Sequence, residues 1–202
     1  MVKILFVASN PKDTDSLRLG EEARTIRERI RLARGRDDFE VHQEFAVRTG
    51  DMQLHLLHYS PDIVHFSGHG SPAGQIVFED HSGYSHPVEP EALERLFTTL
   101  RDNVKCVVLN ACYSEIQAQA IAKSIDCVVG VARSIADDAA VAFALGFYQG
   151  LAYGRSIQTS FDLGIDQIHM ASPGQQDRPR LIVKAGVDAG SVYLMGGLGS
   201  NP

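Results

Sequence analysis

Apolar and polar positions along this chain follow two periods, and the switches between them mark out its elements. Val2 to Ala8 forms an apolar run, the pattern of a strand buried on both faces. Leu19, Ala23, Ile26, Ile30 and Ala33 then recur at spacings of four, three, four and three. That is one apolar stripe on a helix, with Glu21, Glu22, Arg27 and Arg31 at the solvated positions and Gly35 at its end. Phe39 to Val47 alternates as a second strand, residues 51–58 read as a short helix closed by Pro61, and Ile63 to Phe66 is a third strand. Residues 75–79 and 84–88 flank "EDHSG", the turn chemistry of a small hairpin. A helix follows from Pro90 to Leu100, and Lys105 to Leu109 is a fourth central strand.

Ser114 with Gln117 has the form of a capping box, so the next helix starts near Glu115. Cys127 to Val131 is a fifth strand. Asp137 to Leu151 carries Ala139, Ala142, Phe143, Gly146, Phe147 and Leu151 at helical spacing with almost no charge, which predicts a deeply buried helix. Ile157, Phe161, Ile165 and Ile168 mark another, residues 171–180 form the clearest loop, and Leu181 to Lys184 and Ser191 to Leu194 read as closing strands. Alternating strands and helices predict an α/β fold, a mostly parallel sheet with helices on both faces. Ligands of such sheets bind outside the carboxyl ends of the strands.

Composition narrows the setting. The 202 residues, 44% hydrophobic and 22% charged, suffice for a core without disulfides or metals, read as a single domain over residues 1–202. A net charge of −6 on interspersed signs lacks the basic stripe of a nucleic-acid binder. The three cysteines, Cys106, Cys112 and Cys127, form no disulfide framework and fit a reducing, cytoplasmic setting. The apolar run at the N-terminus is too short for a signal peptide, and no stretch approaches the roughly 20 apolar residues of a membrane span. No membrane and no nucleic-acid partner are therefore expected.

The candidate chemistry lies at two strand ends. "SGHG", residues 67–70, and "LNACYS", residues 109–114, each follow an apolar run. If the two strands are neighbours, their ends lie about 5 Å apart, and a thiol meets an imidazole: a nucleophile and its base. Cys112 sits two residues before Ser114, close to the positive end of a helix dipole, which favours thiolate. Gly68 and Gly70 bracket His69 and suit an exposed, sharp turn. The backbone N–H groups of Gly70 and Cys112 can form an oxyanion hole. Against this stands the simpler reading that both residues serve packing and turns.

Other patterns carry less. "GHGSPA" has a loose dinucleotide-binding form but contains Pro72 and no following helix. His65 and His69 are four apart, which on a strand is about 13 Å and too far to share a metal. No cofactor or metal is expected. His55, His58, His81 and His86 fall on solvated positions, and Cys106 and Cys127 inside apolar strands. "RERIRLARGRDD" reads as a solvated helix face, and alternatively as a processing site for an arginine-specific protease.

"VHFSGHGS" followed by "VVLNACYSE" resembles the CHAT family of caspase-like cysteine peptidases. The likeness extends through "ILFVASNP", "DCVVGVARSIADDAAVAFALGFYQGL" and "LIVKAGVDAGSVYL", nearly the whole chain. It implies a caspase-like three-layer sandwich with a mostly parallel six-stranded sheet and a hairpin after the histidine. It also implies a cysteine endopeptidase with protein substrates, in which His69 is general base, Cys112 nucleophile and the Gly70 N–H part of the oxyanion hole. Relatives often hold a carboxylate for a basic residue on the acyl side of the scissile bond (P1). One such position lies two residues before the cysteine and is here the neutral Asn110. Another lies after the fifth strand, where Asp137 is the expected selector beside Asp138, unless it only caps the next helix. Asn10 borders the pocket or merely begins the Asn-Pro turn. The resemblance further implies an effector of bacterial antiviral defence or programmed death, switched on by cleavage or by a sensor partner through loop 171–180 and the loop after Gly130. The alternative is a caspase-like interaction scaffold with an idle dyad.

Overall fold

The computed structural model describes residues 1–195. Its strands are β1 (Val2–Ser9), β2 (Phe39–Glu44), β3 (Ile63–Gly70), β4 (Ile76–Glu79), β5 (Ser85–Val88), β6 (Cys106–Asn110), β7 (Cys127–Val131) and β8 (Pro179–Val183). Its helices are α1 (Leu19–Leu32), α2 (Thr49–Tyr59), α3 (Pro90–Thr99), α4 (Glu115–Ile121), α5 (Asp137–Ala152) and α6 (Ile157–Ala171). The main sheet runs β2-β1-β3-β6-β7-β8, and the β4–β5 hairpin branches from the end of β3. All its pairings are parallel except β7 with β8. The expected six-stranded sheet with a hairpin after His69 is the observed one.

Strands buried on both faces need cover on both faces, and each alternate residue feeds a different core. Ile4, Phe6, Ile63, Cys106, Val108, Cys127 and Val129 face α1, α5 and α6. Leu5, Val7, Val64, Phe66, Val107, Leu109 and Val128 face α2, α3 and α4. The result is a helix–sheet–helix sandwich. Among the described residues, no helix is long and apolar enough to cross a membrane.

Several boundaries depart from the pattern. The third strand continues past Phe66 to Gly70, because β4 takes over pairing where β1 ends: His69 lies opposite Val77 and Gly70 opposite Ile76. His69 is therefore on a strand, and Gly68 and Gly70 make no turn. The second strand stops at Glu44, and Ala46 takes a left-handed conformation. Helix α1 ends at Leu32, with extended Ala33 as its cap, before Gly35 is reached. Ser114 does not cap α4; its hydroxyl donates to the Leu109 carbonyl and accepts from the Val131 N–H, tying the loop after β6 to β7. Ser191 to Leu194 forms no strand and instead follows a single helical turn at Ala189–Ser191.

Helices α5 and α6 cross through glycines. A Cβ on Gly146 would stand 2.2 Å from the Leu163 carbonyl oxygen, and one on Gly164 would stand 2.7 Å from the Phe143 ring. In a helix interior, alanine is favoured over glycine by about 1 kcal/mol. Here overlap with an immovable backbone oxygen outweighs that gain. Gly146→Ala should therefore destabilise the protein by about 1–3 kcal/mol, read from the midpoint of urea unfolding; an unchanged or higher midpoint would contradict the close crossing.

Burial also pushes the Cys106 thiol well above its usual range and that of Cys127 up to about 12. At pH 8 in the folded protein a maleimide should spare both and modify Cys112, which is only half-buried. Peptide mass spectrometry checks this; modification of Cys106 or Cys127 before denaturation would count against the packing described.

Candidate active site

Parallel pairing of β3 with β6 sets Ser67 beside Asn110 at the carboxyl end of the sheet. Two residues further along each chain come His69 and Cys112. The two segments touch through their backbones: a Cβ on Gly70 would stand 1.9 Å from the Cys112 carbonyl oxygen. Glycine at 70 thus serves close approach, not a turn. The change of direction falls instead at Tyr113, a non-glycine residue at φ +58°, immediately after the cysteine.

His69 and Cys112 line one cleft together with Leu17, Arg18, Glu22, Ser67, Asn110 and Ile135. It opens to solvent and holds a cavity of about 50 Å³. His69 Nε2 lies 2.9 Å from the Asp15 carbonyl oxygen and 3.3 Å from Asn10 Oδ1. A carbonyl oxygen only accepts, so Nε2 carries the proton and the lone pair of the neutral ring is on Nδ1. Asn10 Oδ1 also accepts from the Leu17 N–H at 3.3 Å, holding the segment that presents Asp15. The cysteine sulfur accepts from the Ile135 N–H at 3.4 Å, and its S–H faces the Ile135 carbonyl oxygen at 3.9 Å. The Ser71 N–H donates to the Gln75 carbonyl, which makes Gly70–Ile76 the non-hydrogen-bonded pair of the β3–β4 ladder. The Gly70 N–H accordingly points away from β4, to the side where Cys112 lies.

The other expected pocket residues are present but differently engaged. Asp137 lines the cleft at the start of α5; its carboxylate accepts from the Arg18 N–H at 3.2 Å and lies 3.9 Å from the Arg18 guanidinium. Asp138 pairs with the same guanidinium. Asn110 is buried, and its amide nitrogen faces two acceptors, the Glu22 carboxylate and the Ala140 carbonyl.

Glu22 corrects a sequence expectation. It is 3% exposed, not solvated. It sits at the i−4 position from Ile26, on the apolar stripe of α1, and α1 lies over the face of β3 that carries His65, Ser67 and His69. His65 Nε2 approaches Glu22 Oε1 at 2.8 Å, Ser67 donates to Oε2, and Asn110 donates to Oε1. His65 Nδ1 in turn meets Tyr148 Oη of α5 at 2.9 Å. Sequence reasoning missed this chain of groups. Its signal is a polar residue at every second position of a buried strand, opposite a carboxylate on a helix's apolar stripe.

The loops at the rim are cross-braced. Gln175 accepts from the Ala136 N–H at 2.8 Å, Arg178 donates to the Ser134 carbonyl at 2.9 Å, and Arg133 pairs with Asp177 at 2.6 Å. The segment that brackets the sulfur is thus tied to residues 175–178. Among the described residues, no group of three or more His, Cys, Asp or Glu side chains converges as a metal site would require.

Comparison with known proteins places this geometry in a family. Residues 2–180 match the family model described as the CHAT domain. A curated "Roc-COR-CHAT protease" from an unknown prokaryotic organism is 31% identical over 162 residues, covering 77% of this chain and 15% of that protein. A "probable protease" of Gillisia limnaea is 25% identical over 178 residues, covering 86% of this chain and 32% of that protein. The chain therefore spans only a minor part of the length of these relatives. Among solved structures, a secreted cysteine protease of Bacteroides thetaiotaomicron, in complex with an irreversible peptide inhibitor, superposes with a TM-score of 0.62 at 12% identity. That match covers 90% of this chain and 66% of the other. Caspase-1 of Spodoptera frugiperda superposes with a TM-score of 0.57 at 11% identity, over 90% and 85% of the two chains. At such identities these likenesses speak to the fold, which is that of the caspases. With its sheet order, its paired strand-end residues and a match over residues 2–180, the chain belongs to the CHAT-domain family.

Proposed function

We propose that this chain is a cysteine endopeptidase whose dyad is Cys112 and His69, acting on protein substrates after a basic P1 residue. The observation that carries the reading is the convergence of both side chains on one cleft, with the His69 proton fixed on Nε2 by the Asp15 carbonyl. That leaves Nδ1 as base. It takes the proton from Cys112 Sγ as the sulfur attacks the scissile carbonyl carbon. The resulting oxyanion is received by the N–H groups of Gly70 and Cys112; one such donor is worth roughly 10²–10³ in rate. Collapse of the tetrahedral species breaks the C–N bond, and His69 gives its proton to the departing amine. Water, deprotonated by the same nitrogen, then hydrolyses the thioester and returns the thiol. Such acid–base transfers contribute about 10²–10⁴.

A basic P1 residue suits the charge near the cleft, where Arg18 at the rim is paired with Asp137 and also with Glu21 and Asp138, so that carboxylates outnumber the cation they share. The names of both curated relatives as proteases support the activity. Control by a partner or by cleavage fits the bracing of residues 133–136 by residues 175–178, since a shift of either loop moves the Ile135 backbone at the sulfur. In the relatives the matching region is a small part of a longer chain, a setting for such control. Membership of a bacterial defence or death pathway is part of the same proposal.

Cys112→Ala should reduce cleavage of arginyl peptides to background, and an arginyl chloromethylketone should label Cys112 but neither Cys106 nor Cys127; cleavage surviving in the variant would end the proposal. Gly70→Ala should lower kcat/KM about 10²-fold or more, because the added methyl must displace the Cys112 backbone. Steady-state kinetics on wild type and variant, with circular dichroism to verify folding, decides it; a fully active, folded variant would separate Gly70 from the site.

A further inference from the structure

The geometry points to Glu22, not Asp137, as the residue that selects a cationic P1 side chain. This rests on the peptidase reading above and names the recognition group within the same cleft.

Consider first the proton inventory. Burial holds the Tyr148 phenol well above its ordinary range, so it stays protonated. The Tyr148 hydroxyl therefore donates to His65 Nδ1, and His65 Nε2–H donates to Glu22. Ser67 and Asn110 also donate to Glu22. Every neighbour of the carboxylate is then a donor, which satisfies all four groups with Glu22 ionised. If Glu22 instead held a proton and gave it to His65, His65 Nδ1–H would face Tyr148, and the buried phenol would lose its acceptor. The arrangement that leaves nothing unpaired is a neutral His65 beside a Glu22 anion.

That anion has no cation of its own. Among the described residues, no lysine or arginine nitrogen lies within 4.0 Å of Glu22; its one basic neighbour is His65. A buried charge without a counter-charge is costly. Its one open side is the cleft, which Glu22 lines. Asp137 differs: its carboxylate is already engaged by Arg18 at the rim.

Position agrees with the role. Glu22 is hydrogen-bonded to Asn110, two residues before Cys112. Glu22 and Cys112 line the same cleft, so a long cationic side chain entering beside the nucleophile meets the carboxylate. A guanidinium or ammonium entering the cleft would supply the missing charge to a carboxylate that is itself buried, where a charge-assisted hydrogen bond is strong. Asn110, neutral at that position, does not compete for the cation but orients the carboxylate that binds it.

The test compares two peptide substrates that differ only at P1, arginine against its uncharged isostere citrulline. The wild type should favour arginine in kcat/KM by about 10²-fold or more. Glu22→Gln should cut that ratio at least tenfold, mainly by lowering the arginine value, while Asp137→Asn should leave it within about threefold. Were Glu22 merely a brace for α1, Glu22→Gln would lower both substrates alike and keep the ratio; that result, or a collapse of the ratio in Asp137→Asn alone, overturns the assignment while leaving the peptidase intact. Equal cleavage of both peptides by the wild type would overturn cation selection itself. Failure of the wild type both to cleave and to be labelled at Cys112 would strike the peptidase reading and this inference with it. Should Glu22→Gln fail to fold, a crystal structure of the wild type trapped with arginyl chloromethylketone decides: guanidinium on Glu22 supports the assignment, and guanidinium on Asp137 overturns it.

Discussion

The in-register pairing of β3 with β6 is the constraint on which the site depends. It sets Ser67 against Asn110 at the sheet end, and every later placement follows from that step. His69 and Cys112 each lie two residues beyond it. Their backbones then pass so closely that only glycine fits at position 70. A slip of one residue would turn His65, Ser67 and His69 to the opposite core and separate imidazole from thiol. Hydrophobic alternation enforces the register, since Ile63 and Val64 each fit only one of the two cores.

Above this sheet end the protein buries a polar chain where a core would ordinarily be apolar. Tyr148, His65, Glu22, Ser67 and Asn110 come from α5, β3, α1 and β6, so the chain links both covering helices to both central strands. Removing a carboxylate from water costs several kcal/mol, and the donors around Glu22 offset it only while all of them hold their places. Networks of this kind have sharp geometric demands. That rigidity fixes the floor of a cleft whose rim is braced by Gln175 and Arg178.

Much of this was legible in the pattern of residues. The apolar run at Val2 to Ala8, the helical stripe from Leu19 to Ala33 and the nearly uncharged Asp137 to Leu151 each gave the element found, because burial on one or both faces writes itself as a period. His69 and Cys112 stood out because each comes just after an apolar run, among small residues. Glu22 did not, because its charge argued for solvent while its position, four residues before Ile26, argued for the core. Ser114 misled for a related reason: its hydroxyl has two ways to be satisfied, and Leu109 and Val131 of the neighbouring strands won over the helix it precedes.

Local periodicity and residue chemistry thus determined the order of strands and helices, the layering and the two candidate side chains at the strand ends, since those follow from short-range spacing and the need to bury apolar surface. The tertiary structure alone decided which polar groups share a buried space. It put the Asp15 carbonyl on His69, the Ile135 N–H on Cys112 and the Glu22 carboxylate under Asn110. Those partners lie between 23 and 88 residues apart in the chain, and a hydrogen bond across such a separation leaves no mark in local spacing.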